Sequence, residues 1–334
     1  MSGGIIDRTG AEALIPETMC REIITGLSDV SAEGGSAVLR LGRRLPNMTS
    51  RQMKLPVTSL LPVAYWHDAA ASSGGDAARR KLTRAAWENV TLTAQELSVI
   101  VLIEENTLDD SDYDIWEQVR PMIIESMGAE IDRAVLFGSG APAGAPAGIV
   151  PQAAAAGNVL ALDEGAGGYD ALMGQDGLIS IVENDGYIPT AHIGKISARG
   201  FLRGVKDAAG QPIFRPMSGL GAATQYCLDG LPVYFPRNGA MEGGEAKIIT
   251  GDFNQLVYSI RQDVSVKLLS EAAIKGQDNE IYYLAQQNMV GLRVKMRMAW
   301  ASPLPVNRLT GAVAEGGEGL EPGENCFPFA VLED

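Results

Sequence analysis

The stretch Thr91–Ile149 reads TLTAQELSVIVLIEENTLDDSDYDIWEQVRPMIIESMGAEIDRAVLFGSGAPAGAPAGI. Val90, Leu92 and Ala94, then Leu97, Val99, Val101 and Ile103, alternate with the period of a strand. One phase slip at Gln95 and Glu96 suggests a bulge or bend. An acidic turn, 104–114, follows, and its Ser111 and Asp114 have the spacing of a capping box. Beyond it Ile115, Val119, Met122, Ile123, Met127, Ile131, Ala134 and Val135 recur every three or four residues. That period predicts one amphipathic helix over 113–137, roughly 36 Å long at 1.5 Å per residue. Pro121 belongs near its first turns or kinks it, and Gly138 ends it. The Gly/Ala/Pro-rich run 138–168 reads as irregular.

On the N-terminal side, residues 1–15 read as a flexible arm. Pro16 then opens a helix carrying Ile15, Met19, Ile23, Ile24 and Leu27 at helical spacing. Residues 54–57 start an extended segment, since a residue before proline avoids the helical region. The polar, Gly/Ser-centred run 67–86 lies between strand-like segments and reads as the tip of a long β-hairpin. On the C-terminal side the pattern predicts helices at 176–185 and 197–207. It predicts strands at 189–193, 231–235, 248–258, 264–269 and 292–300, and helical spacing at 282–290. The acidic, Gly-rich segment 307–334 shows little periodicity and reads as a tail.

Composition excludes several function classes. The chain has 334 residues, 46% of them hydrophobic, enough for a sizeable core. Its 27 basic and 41 acidic residues leave a net charge of −14. A nucleic-acid-binding face needs clustered Lys and Arg, so that balance argues against one. Cys20, Cys227 and Cys326 share no short spacing, which excludes a zinc knuckle and suits a reducing compartment. No basic-plus-apolar leader and no run of about 18 apolar residues is present, so the pattern predicts a soluble protein made in the cytoplasm, with no membrane contact.

Each candidate for chemistry has a simpler reading. Asp110, Asp112 and Asp114 copy three ligand positions of a calcium loop, but Ile115 and Pro121 stand where it needs Gly and Glu. Acids complementing a helix dipole account for them better. Gly138-Ser139-Gly140 follows a helix, where a phosphate loop follows a strand, so it reads as a joint. The two histidines, His67 and His192, stand at no metal-ligand spacing, and no G-x-S-x-G elbow exists. Neither a cofactor nor a metal is expected. A hydrolase built on Cys227 or His192 is the weakest reading. Arg79, Arg80, Lys81 and Arg84 gather at the hairpin tip. In so acidic a chain they suit an electrostatic latch onto an acidic neighbour.

The order of these parts resembles the major capsid proteins of tailed bacteriophages with the Hong Kong 97 fold. Carrying the resemblance are Ile15-Pro16-Glu17, the long helix ending Ile131-Asp132-Arg133-Ala134-Val135-Leu136-Phe137-Gly138, and Pro146-Ala147-Gly148-Ile149. So do Leu228-Asp229-Gly230-Leu231-Pro232-Val233, Ile249-Thr250-Gly251-Asp252-Phe253 and the run from Asn288 to Trp300. The resemblance implies an α+β fold with an N-terminal arm and first helix (1–30) and an extended hairpin loop (57–103). It implies a peripheral domain from 31–56, 104–149 with the spine helix, and 251–306. An axial domain (150–250) and the C-terminal tail (307–334) complete it. It further implies a self-assembling subunit, not an enzyme, whose hexamers and pentamers close an icosahedral head around double-stranded DNA. Scaffold, portal and decoration proteins would be partners, with assembly in the host cytoplasm into a virion capsid. Met1 leads straight into the arm, so a separate scaffold or none is expected. An encapsulin-like compartment shell is the alternative with the same fold.

Overall fold

The computed structural model describes residues 23, 27, 35–66, 82–105, 115–162, 168–205, 211, 214–217, 225–276, 279–313, 319–323 and 325–333. Ile23 and Leu27, one helical turn apart, are both helical and buried, as their spacing predicts. The Ser36 hydroxyl accepts from the Leu39 N–H and caps the short helix α1 (Ala37–Leu41). β1 (Arg43–Arg44) follows. β2 (Gln52–Leu60) runs outward and β3 (Ala86–Thr93) returns antiparallel, with Gln52 opposite Thr93 and Thr58 opposite Trp87. β4 (Gln95–Glu104) begins one residue later.

The phase slip at Gln95 therefore marks a change of sheet. β3 pairs with β2, whereas β4 joins a different sheet. Ala94 is buried and donates to the Arg51 carbonyl over 2.8 Å, which pins the chain where it changes partner. The paired strands of the hairpin are thus 52–60 and 86–93, and 95–104 pairs with β14 in the body, apart from the rest of the expected 57–103 loop. Sequence alternation runs on both sides of Ala94, so it could not show the switch.

The long helix α2 (Ile115–Asp132) contains Pro121 and passes into a π-helical turn, Arg133–Phe137. Gly138 closes it in the left-handed region at φ 72°. The run 138–168 is not irregular throughout: it holds α3 (Ile149–Ala156) and β5 (Val159–Ala161). Ile149 and Ala153, one turn apart, are buried, and their packing supports a helix too short for its period to show. Next come α4 (Gly168–Met173), α5 (Leu178–Asn184), β6 (Ala191–Gly194), α6 (Ala198–Gly204), β7 (Arg215–Met217), β8 (Gln225–Leu228), β9 (Leu231–Tyr234) and β10 (Ala246–Gly251). Asp229 (φ 49°) and Gly230 (φ 74°) turn the β8–β9 hairpin, the paired left-handed geometry that Asp-Gly favours.

β10 ends at Gly251 and β11 (Val257–Leu269) is one thirteen-residue strand, so the break between the expected strands 248–258 and 264–269 falls earlier than expected. The register of β11 shifts at Ile260/Gln262 and Gln262/Ser265, and such bulges disguise the period. β12 (Ala273–Lys275) and β13 (Ile281–Tyr283) form a small ribbon. α7 (Leu284–Gln287) is a single turn, and β14 (Met289–Ala301), β15 (Ala312–Val313), β16 (Leu320–Glu321) and β17 (Phe329–Glu333) complete the chain.

Two sheets carry the body. One has the order β1-β11-β14-β4, the other β5-β17-β10-β6-β9-β8-β7. The end of the segment expected as a tail is therefore an interior strand: Phe329, Ala330, Val331 and Leu332 are fully buried. A strand covered on both faces is a continuous apolar run without alternation, which is why the period test missed it. One core packs Ile123, Ile124, Met127, Ile131 and Leu136 with Val294, Met296, Met298, Phe253 and Phe329. A second gathers Leu172, Leu178, Val182, Leu202, Ile248 and Leu332 on the larger sheet. The α+β class expected from the sequence is what the chain adopts.

Candidate functional site: an assembly surface

The hairpin β2–β3 forms a sheet by itself. Its base packs through Met53, Leu55, Val90 and Leu92 against Met48, Val257, Ala299 and Ala301. Further out, Trp87 is 65% exposed and Trp66 wholly so. A solitary hairpin is marginal in water, so the far part needs other support. Some comes from its own chain. The Val306 N–H donates to the Thr58 carbonyl (3.1 Å), Leu61 and Leu320 exchange backbone bonds of 3.0 and 2.8 Å, and Arg308 reaches the Pro62 carbonyl. The predicted latch residues Arg79, Arg80 and Lys81 lie outside the described residues. Arg84 is placed, exposed, two residues before β3.

Sequence reasoning missed the strongest polar node, Asp132. The end of α2 buries it fully, and it accepts four hydrogen bonds. Ser36 Oγ donates over 2.6 Å, the Ala37 and Val38 N–H groups over 3.0 and 3.1 Å, and Asn238 Nδ2 over 2.7 Å. Burial raises its pKa, and the four donors pull it back only in part. One carboxylate thus fastens α1, α2 and the loop before β10 together. Its one sequence signal was a charge at a helix position whose neighbours Ile131 and Ala134 face the core.

The other candidates stand on separate strands or outside the described residues. His192 Nδ1 lies 2.8 Å from Thr250 Oγ1 on the adjacent strand, and burial lowers its pKa to about 4. Cys227 stands on β8, with β9 between it and β6. His67, Cys20 and the acidic run 110–114 lie outside the described residues. Among the described residues no cluster of His, Cys, Asp and Glu suits a metal ion. None of their helices is long and apolar enough to cross a membrane. Gly138 and Gly140 are both left-handed, and a Cβ on Gly140 would fall 2.4 Å from Glu130 Oε1. A carboxylate at that loop repels phosphate.

The phage capsid family matches residues 11–302. The chain is 27% identical over 289 residues to the major capsid protein of Staphylococcus phage 80alpha, covering 84% of this chain and 81% of that protein. A solved structure from Microbacterium phage Oxtober96 superposes with a TM-score of 0.73 at 29% identity, over 99% of both chains. One from Mycobacterium phage Bobi does so with a TM-score of 0.72 at 27% identity, again over 99% of both.

Proposed function

This chain belongs to the phage capsid family, and from that membership and its geometry we propose how its parts divide the work of building a shell. It is a capsid subunit of the Hong Kong 97 type that assembles with copies of itself into a phage particle. The family is one of structural capsid proteins. The encapsulin-like alternative is not favoured, since the likenesses are to phage capsids.

The finer reading is ours. Hexamers and pentamers of this chain close an icosahedral head around double-stranded DNA, assembled in the host cytoplasm. Scaffold, portal and decoration proteins are its further partners. The seven-stranded sheet with its helices acts as the axial domain near the symmetry axes, and β17 brings part of 307–334 into it. The four-stranded sheet with α2 acts as the peripheral domain between capsomers. The hairpin reaches over a neighbouring copy, where Arg79, Arg80, Lys81 and Arg84 meet acidic groups. A net charge of −14 suits an inner wall that repels packaged DNA.

One observation carries this reading: a long hairpin, outside both main sheets, exposes two tryptophans to water. An exposed apolar face of that kind marks an interface. Light scattering on the purified protein tests it. Capsomers or megadalton shells are expected, and a 35.4 kDa monomer at every salt and protein concentration would refute it.

A further inference from the structure

Two features of opposite shape have no counterpart among the described residues. The first is a cavity of about 350 Å³ between α3, Tyr187, the segment 304–310 and residues 322, 323 and 325–327. Ala155, Ala156, Tyr187, Thr310, Cys326 and Phe327 are among its walls, and no wall residue is acidic or basic. Tyr187 is only 8% exposed and stands in the cavity wall. Thr310 Oγ1 is buried and has no hydrogen-bond partner among the described residues. Both are hydroxyls, able to accept as well as donate. Ile188 and Leu309, next in the chain to Tyr187 and Thr310, are 81% and 80% exposed.

The second feature is Trp66. It stands on the hairpin arm four residues beyond Pro62, whose carbonyl accepts from Arg308. It is completely exposed, so its own cavity does not take it. An indole in water combines a large apolar surface with an N–H donor, the combination that favours burial beside an acceptor.

A knob on one surface and a hole on another make a head-to-tail contact between copies, which closes into a ring when the rotation allows. We propose that the cavity beside Tyr187 is a socket for Trp66 of a neighbouring copy. The indole fills the apolar space and donates its N–H to Tyr187 Oη. The choice of a second copy rests on the capsid reading and on charge. Two chains of net −14 repel, and an uncharged socket is where an uncharged knob approaches without that penalty. The contact repeats in one direction around a capsomer, so it sets subunit order within the ring.

Cys326 in the socket wall makes the contact testable by cross-linking. Trp66→Cys is made with Cys20→Ser and Cys227→Ser, assembled, treated with a short bismaleimide and run on a denaturing gel. A ladder of multimers is expected. Adding Cys326→Ser removes it, and Trp87→Cys in place of Trp66→Cys yields none. Particles that form without a ladder overturn the socket and leave the capsid reading intact. If the unaltered chain forms no particles, the capsid reading itself has failed. Because Trp66→Cys can weaken assembly, Ala155→Trp serves as a second variant. Ala155 is exposed at the mouth, so this change blocks the socket without touching the core. We expect at least tenfold fewer particles with unchanged subunit melting, and wild-type yield from Ala155→Trp overturns the proposal.

Discussion

Asn238 Nδ2 donates a 2.7 Å hydrogen bond to Asp132 Oδ2, tying the loop before β10 to the end of α2. Ser36, Ala37 and Val38 bond the same carboxylate from a third direction. A shell subunit must hold one rigid body in several environments, and this fully buried clasp joins the parts that must not shift. Asp132→Ala leaves four buried donors without an acceptor. The expected loss is about 3 kcal/mol in urea unfolding of the unassembled subunit. Asp132→Asn keeps one acceptor oxygen and should lose less. A shift below about 1 kcal/mol for the alanine variant would show that the clasp matters little.

His192 gives the larger sheet an acid limit. Its folded pKa of about 4 lies below the ordinary histidine value of 6.5, because burial disfavours the imidazolium. The unfolded chain therefore binds a proton that the folded one refuses. Stability is intact above pH 6.5, falls as the pH drops towards 4, and levels off below it. The full loss is about 3 kcal/mol. His192→Gln should flatten the stability curve between pH 6.5 and 4. An unchanged slope in that window would assign the acid sensitivity to other groups.

Gly148 is held by close backbone contact. A Cβ there would meet Gly138 N at 2.4 Å and the Phe137 carbonyl carbon at 2.5 Å, neither able to swing aside. Gly148→Ala should cost about 2 kcal/mol through overpacking where α3 meets the π-turn. Gly200, inside α6, has nothing within 4 Å, so Gly200→Ala should add about 0.5 kcal/mol. Equal melting shifts for the two would contradict this account of the junction.

The proposed latch of Arg79, Arg80, Lys81 and Arg84 predicts an effect on assembly and none on folding. Changing Arg79, Arg80, Lys81 and Arg84 together to Glu should sharply reduce particle yield. Subunit melting should barely move, since surface changes shift stability by about ±0.5 kcal/mol each. Assembly of the unaltered chain should also weaken as salt screens the contact. Wild-type yield from the quadruple variant would remove the latch.

The sequence showed α2 because Ile123, Met127 and Ile131 repeat over many turns with one face buried. It showed Gly138 as the stop because a left-handed residue ends a helix cheaply when it is glycine. It concealed the sheet change at Ala94, because β3 and β4 each alternate and only non-local pairing separates them. β17 escaped because both of its faces are covered, and Asp132 because its donors lie about a hundred residues away in both directions. Long-range placement, rather than local preference, supplied everything that was missed. The socket beside Tyr187 belongs to the same class, since its walls come from four separate segments.

The central claim is that copies of this chain build a closed shell through their hairpins. Electron cryomicroscopy of the purified, assembled protein tests it most directly. The account predicts closed particles in which β2 and β3 of each copy lie over a neighbour, with Trp66 buried between chains. Dispersed monomers, or shells whose hairpins fold back on their own bodies with Trp66 in solvent, would contradict it.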